Sequence, residues 1–213
     1  MHTIIDPLTL NDISDQLLLP NGKMKLLPTA DLKNLNWNDF RHFCHVHGRY
    51  GVPTVELIEM LTNLIGGRSC IEIGAGNGDF GYHLNLRMTD SKIQDELRIK
   101  NMYRIMRQPT IQYPRDVEKL EALEAIYKYK PQVVITSWTT TYFPRQTSYH
   151  SNPYGLREER LLNLVDTYIL IGNLDTHGDK PICKLPHQKI QSEFIVSRAA
   201  NQENNRVFVW NKT

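Results

Sequence analysis

Two hydrophobic periods alternate along this chain. Leu57, Ile58, Leu61, Leu64 and Ile65 recur at helical spacing, behind Thr54 as N-cap, and Gly66-Gly67 stop the run. Short, nearly continuous apolar runs read instead as buried strands: Cys70–Ile73, Leu86–Asp90, Thr110–Tyr113, Gln132–Trp138, Tyr168–Asn173, Glu193–Ser197 and Arg206–Trp210. Further helices are predicted over Asp39–His47 (capped by Asn38, closed by Gly48), from Asp79, over Ser91–Arg107, and over Glu158–Val165. Another is predicted from Asp116 along the stripe Val117, Leu120, Leu123 and Ile126 or Tyr127, ending before Pro131. Strands alternating with helices predict an α/β fold, a doubly wound sheet of seven strands that closes on a hairpin around Asn201–Asn205. Residues 1–53 read as an N-terminal extension with a helical cap, and 54–213 as the sheet domain. Within the extension, Met1–Asn36 is an irregular lead-in whose leucines (Leu17, Leu18, Leu19, Leu26, Leu27) tuck against the body.

The stretch Cys70–Gly81, CIEIGAGNGDFG, departs from plain packing. A strand leads into Gly74, Gly76 and Gly78, and Asp79 then opens a helix. Such a turn lets a ligand approach the main chain, with backbone N–H groups expected to face outward. Two registers compete. Gly76-Asn77-Gly78-Asp79-Phe80-Gly81 satisfies the dinucleotide fingerprint G-x-G-x-x-G. It leaves Gly74 and Ala75 in the strand and Glu72 without a role. The register Glu72-x-Gly74-x-Gly76-x-Gly78 uses every unusual residue.

That second register resembles the first motif of the class I S-adenosylmethionine-dependent methyltransferases, and the resemblance extends over about Tyr50 to Trp210. It implies a Rossmann-like sheet whose last strand is inserted antiparallel, S-adenosylmethionine as cofactor, and methyl transfer as the activity. It implies a cofactor site of Glu72, Gly74, Ala75, Gly76, Asn77 and Gly78. Asp90 at the tip of the second strand would take the ribose, with Asp95 and Glu96 behind it. Asp116 with Val117, after the third strand, would take the adenine, and Ser137 and Trp138 follow the fourth. The turn Tyr50–Thr54 would line the pocket near the sulfonium, where an aromatic ring suits a cation. Weak catalytic candidates are Tyr50, Tyr142 and His150, with His177 and His83 as further general-base candidates. A methyl donor carries its reactive group itself, so the absence of a nucleophile signature does not argue against an enzyme. A non-catalytic S-adenosylmethionine-binding chain is the alternative, and a nicotinamide-dependent oxidoreductase the third reading.

The acceptor is less legible. The long loop Thr139–His150, rich in hydroxyls and aromatics, reads as the substrate-facing wall. Base-amino methyltransferases of the family carry an Asn/Asp/Ser-Pro-Pro-aromatic motif after the fourth strand. Here Ser137-Trp138-Thr139-Thr140 stands in its place, and Ser151-Asn152-Pro153-Tyr154 comes too late with one proline. The acceptor class (small molecule, protein or nucleic acid) therefore stays open.

Composition narrows the setting. With 25 basic and 23 acidic residues the net charge is +2, unlike a nucleic-acid-coating protein. Arg98, Lys100, Arg104 and Arg107 cluster on one predicted helix, which suits either an acidic partner or a solvated face. Three cysteines make no disulfide framework. No basic-then-apolar leader and no span of ~20 apolar residues is present, so a cytoplasmic protein without membrane contact is expected. His42, Cys44, His45 and His47 invite a zinc reading, but only His42 and His45 share a helix face and no second ligand cluster completes a set, so no metal is expected.

Overall fold

The computed structural model describes residues 10–143 and 151–212, the side chains of 151 and 152 excepted. Seven strands build one sheet: β1 (Cys70–Ile73), β2 (Arg87–Asp90), β3 (Val117–Lys119), β4 (Val133–Ser137), β5 (Thr167–Asn173), β6 (Gln188–Ile190) and β7 (Asn205–Asn211). Their order is β3-β2-β1-β4-β5-β7-β6. The pairs from β3 to β5 are all parallel. β7 runs antiparallel between β5 and β6. This is the expected α/β class, with N-terminal helices added, and the sheet is consistent with a class I methyltransferase-like fold.

Strand alternation sorts the core into two layers. Ile71, Ile73, Val134, Tyr168, Leu170, Phe208 and Trp210 face the helices Ala122–Tyr129 and Glu158–Leu162. Val133, Ile135, Ile169, Ile171, Val207 and Val209 face the helix Val55–Ile65 and Phe80. That long helix forms as its sequence dictates. The Thr54 hydroxyl accepts from the Leu57 amide, and Gly66 leaves the helix at φ 61°. A third cluster of Ile13, Leu17, Met24, Phe40, Phe43, Cys44 and Val52 anchors the N-terminal segment, including one-turn helices at Ser14–Leu17 and Thr29–Lys33 within the expected lead-in.

Several elements differ from expectation. Thr110–Tyr113 is no strand, and β3 is Val117–Lys119. The apolar period from Val117 imitates a helix, but Val117 is buried in the sheet while Glu118 pairs outward with Lys128. Charged residues of this kind suit an exposed sheet edge, and the helix starts only at Ala122. At the other edge, Glu193–Ser197 does not pair with β7. Only Val196–Ser197 is extended, joined to Gly51–Val52, and Gln188–Ile190 takes the edge instead. The cap of the helix Trp37–Val46 is Asn36, whose side chain accepts from the Asn38 and Asp39 amides, so Asn38 lies inside the first turn. Ser91–Arg107 splits into a tight turn, Ile93–Asp95, and a helix, Leu97–Ile105, and the helix after residue 157 is Glu158–Leu162. The polar loop after β5 holds a one-turn helix, Leu174–His177. No helix among the described residues is long and apolar enough to cross a membrane.

Candidate functional site

Strand order reverses between β1 and β4, and the carboxyl ends of those strands are where open α/β sheets bind ligands. The glycine turn emerges there. β1 ends at Ile73, so Gly74 lies in the turn, as the Glu72–Gly78 register requires. Gly74, Gly76 and Gly78 have φ of 63°, 55° and 68°, left-handed values that a side chain tolerates poorly.

Three of the turn's amides, those of Ala75, Gly76 and Gly78, are tied to the chain itself, contrary to expectation. The Ala75 amide donates to the Thr89 carbonyl (3.1 Å) and the Gly78 amide to the Ala75 carbonyl (2.7 Å). The Gly76 amide donates to Asp90 Oδ2 (2.9 Å). The following helix, Asp79–His83, meets one buried carboxyl through its Gly81 amide, and its own Asp79 reaches out to the N-terminal segment. Glu72 Oε2 accepts from the Gly81 amide (2.8 Å), and Asp79 Oδ1 from the Met24 amide (2.8 Å). Glu72 is 1% exposed, and burial pushes its carboxyl up to about 8. It therefore braces the turn from beneath, and burial favours its neutral form.

Asp90 sits at the tip of β2, as predicted. Its Oδ1 accepts from the Lys92 amide (2.7 Å), and the Tyr113 hydroxyl lies close by. Burial raises its carboxyl above the ordinary range in spite of these bonds. A carboxylate offers about four lone-pair positions. Two are occupied by backbone amides, which leaves acceptor positions for a hydroxyl.

Asp116 lies before β3, not after it, because that strand begins at Val117. It pairs with Lys23 (3.0 Å), whose ammonium also donates to the Asn77 carbonyl (2.9 Å). Val117 packs behind Gly78. The Asn77 side chain turns away to the His47 carbonyl (3.1 Å). Lys23, Arg49 and Tyr113 were not singled out by sequence reasoning. Arg49 forms a buried ion pair with Asp79 (2.9 Å) and donates to the Gly22 carbonyl (2.7 Å), clamping the N-terminal segment behind the turn. An acidic residue opening a helix beside so much apolar sequence was the available signal that a buried cation must exist.

At β4 the structure brings together Tyr50, Gly51, Ser137 and Trp138. Trp138 has φ 55°, a conformation that costs about 1–3 kcal/mol outside glycine. Its ring stacks on Tyr50 (centroids 6.0 Å) and meets His177 edge-on (5.2 Å). A Cβ on Gly51 would fall 2.7 Å from the indole nitrogen, so only glycine leaves the ring that place. The residues beyond are tethered by a buried pair. Lys180 meets Glu158, both about 1% exposed or less, and donates to the Thr139 carbonyl (2.7 Å).

Other candidates lie apart from this group. His83 Nε2 meets the Met24 carbonyl (2.8 Å), and Tyr142 lies under the Arg157 guanidinium (3.8 Å). His150 lies outside the described residues, as does most of the loop expected to face substrate. The segment before β3 covers the turn. A Cβ on Gly76 would stand 3.2 Å from Ile111 Cδ1, and one on Gly74 2.7 Å from Thr139 Cγ2. Among the described residues no group of three or more His, Cys, Asp and Glu can hold a metal ion, and the cysteines are free. No known protein-family model matches the chain, and no curated protein matches its sequence.

Proposed function

We propose that this chain binds S-adenosylmethionine at the β1–β2 turn and transfers its methyl group to an acceptor held at the end of β4. One observation carries the reading: the Gly76 amide is fastened to the Asp90 carboxylate, directly under the place a ligand would occupy. A dinucleotide pyrophosphate needs free amides and meets repulsion from a carboxylate. A nucleoside without phosphate and with a cationic sulfur suits the same surroundings. The buried Glu72 carboxyl on the Gly81 amide, one turn into the following helix, supports the same choice.

When bound, S-adenosylmethionine supplies a methyl group on positively charged sulfur. This chain's residues would do the holding. Gly74–Gly78 admits the ligand against the main chain, Asp90 accepts a ribose hydroxyl, and the electron-rich indole of Trp138 suits the cationic end. Orientation and exclusion of water account for the rate, which needs no nucleophilic side chain.

A second reading, a chain that binds the cofactor without catalysis, has its own support in Ile111 and Tyr113, which cover Gly76 and engage Asp90. Incubation with S-adenosylmethionine labelled in the methyl group, against fractionated lysate, separates the two. Label transferred to a discrete acceptor supports the enzyme, and binding without transfer supports the second reading.

A further inference from the structure

The helix Trp37–Val46 buries Phe40, Phe43 and Cys44 and turns its other face outward. Asn38, Arg41, His42 and His45, spaced i, i+3, i+4 and i+7, form one wall of a groove of about 430 Å³. Arg198, Gln108 and Leu10 complete it. The pair of histidines that suggested zinc thus shares a face, but Cys44 points into the core and His47 meets the Ser14 hydroxyl (2.8 Å).

The charge of this groove is unbalanced. No carboxylate lines it, and among the described residues neither arginine has an acidic partner within ion-pair distance. Asp39, the nearest acid in sequence, accepts from Asn11 through both oxygens (2.9 and 3.0 Å), and its charge, with that of Asp12, acts on His42. Arg198 is half-buried and held in place. Its guanidinium lies 3.9 Å from the Tyr50 ring centroid, and its amide donates to the Tyr50 carbonyl (2.8 Å). Burial is the main cause that keeps the His45 imidazole below its ordinary pKa, and Arg198 and His42 add to it. Exposed cations alone need no ligand. A concave site with two unpaired guanidinium forks, one immobilised, is a receptor for a doubly charged oxyanion. Its volume exceeds that of a bare phosphate and falls in the range of small-molecule sites.

We propose that this groove binds the phosphate of a phosphorylated small organic molecule, with Arg41 and Arg198 on the phosphate oxygens and Asn38, His42, His45 and Gln108 as hydrogen-bonding neighbours. The groove stands independently of the cofactor assignment. Under the methyl-transfer reading, on which this one clause rests, the stack Arg198–Tyr50–Trp138 joins the groove to the end of β4 and makes its ligand the acceptor.

Calorimetric titration of the whole chain with ribose 5-phosphate, ribose and inorganic phosphate tests the proposal without any methyl donor. Saturable binding of ribose 5-phosphate is expected, tighter than inorganic phosphate, with none for ribose. Arg41→Gln, at an exposed position, and Arg198→Lys, which keeps charge but loses the fork, should each weaken it at least tenfold, while the exposed Lys130→Gln leaves it unchanged. Absence of binding at millimolar ligand, binding that survives Arg41→Gln, or equal affinity for inorganic phosphate would each overturn it. A separate titration with S-adenosylhomocysteine keeps failure of the cofactor assignment distinguishable.

Discussion

Replacing Glu72 by Gln isolates the proton that the fold holds beneath its glycine turn. Gln keeps the shape and an oxygen for the Gly81 amide, but removes the titration. In the native chain burial raises the Glu72 carboxyl from 4.5 to about 8. Between those values the folded chain retains a proton that the unfolded chain has released. The protonated carboxyl therefore contributes its full stability below about pH 4.5, and the contribution is lost as pH rises through about 8. At about 1.4 kcal/mol per pKa unit, the span is on the order of 3–5 kcal/mol. Glu158, also raised by burial, shifts stability in the same direction in both proteins and cancels in the difference. Urea unfolding of both proteins from pH 5 to 9 gives the measurement. The native chain should lose on the order of 3–5 kcal/mol relative to Glu72→Gln over that range. Parallel stability curves would refute a buried, neutral Glu72.

Three further outcomes follow from the same contacts. Lys180→Met leaves Glu158 buried without its partner and frees the Thr139 carbonyl; denaturant unfolding should show a loss of about 3–5 kcal/mol. Thr54→Ala removes both the cap on the Leu57 amide and the hydroxyl's bond to the Phe194 carbonyl, and should lower stability by about 1–2 kcal/mol in the same assay. Tyr113→Phe removes a hydroxyl that lies beside Asp90. If Asp90 accepts a ribose hydroxyl, affinity for S-adenosylhomocysteine should rise roughly 2–10-fold by fluorescence titration, the equivalent of about 0.5–1.5 kcal/mol.

Much of the architecture was legible because the interior strands are continuous apolar runs. β1, β2, β4, β5 and β7 fall where the pattern put them. The two edges were missed for one reason. Val117-Glu118-Lys119 and Gln188-Lys189-Ile190 are short and charged, as exposed edges require, and carry too little apolar sequence to announce a strand. The glycine turn and the position of Asp90 were readable from local spacing alone. The clamp behind the turn was not, since Lys23 and Arg49 reach the Asn77 carbonyl and Asp79 across 54 and 30 positions. Covering of Gly76 by Ile111 was equally invisible, because it depends on Thr110–Tyr113 leaving the sheet.

Calorimetric titration of S-adenosylhomocysteine and of NAD into the native chain and into Gly76→Val is the most direct test of the central assignment, with circular dichroism establishing that the variant is folded. The account predicts saturable adenosylhomocysteine binding to the native chain, no heat from NAD, and loss of binding in folded Gly76→Val. Unchanged affinity in that variant, or a native chain that binds NAD and not adenosylhomocysteine, would contradict it.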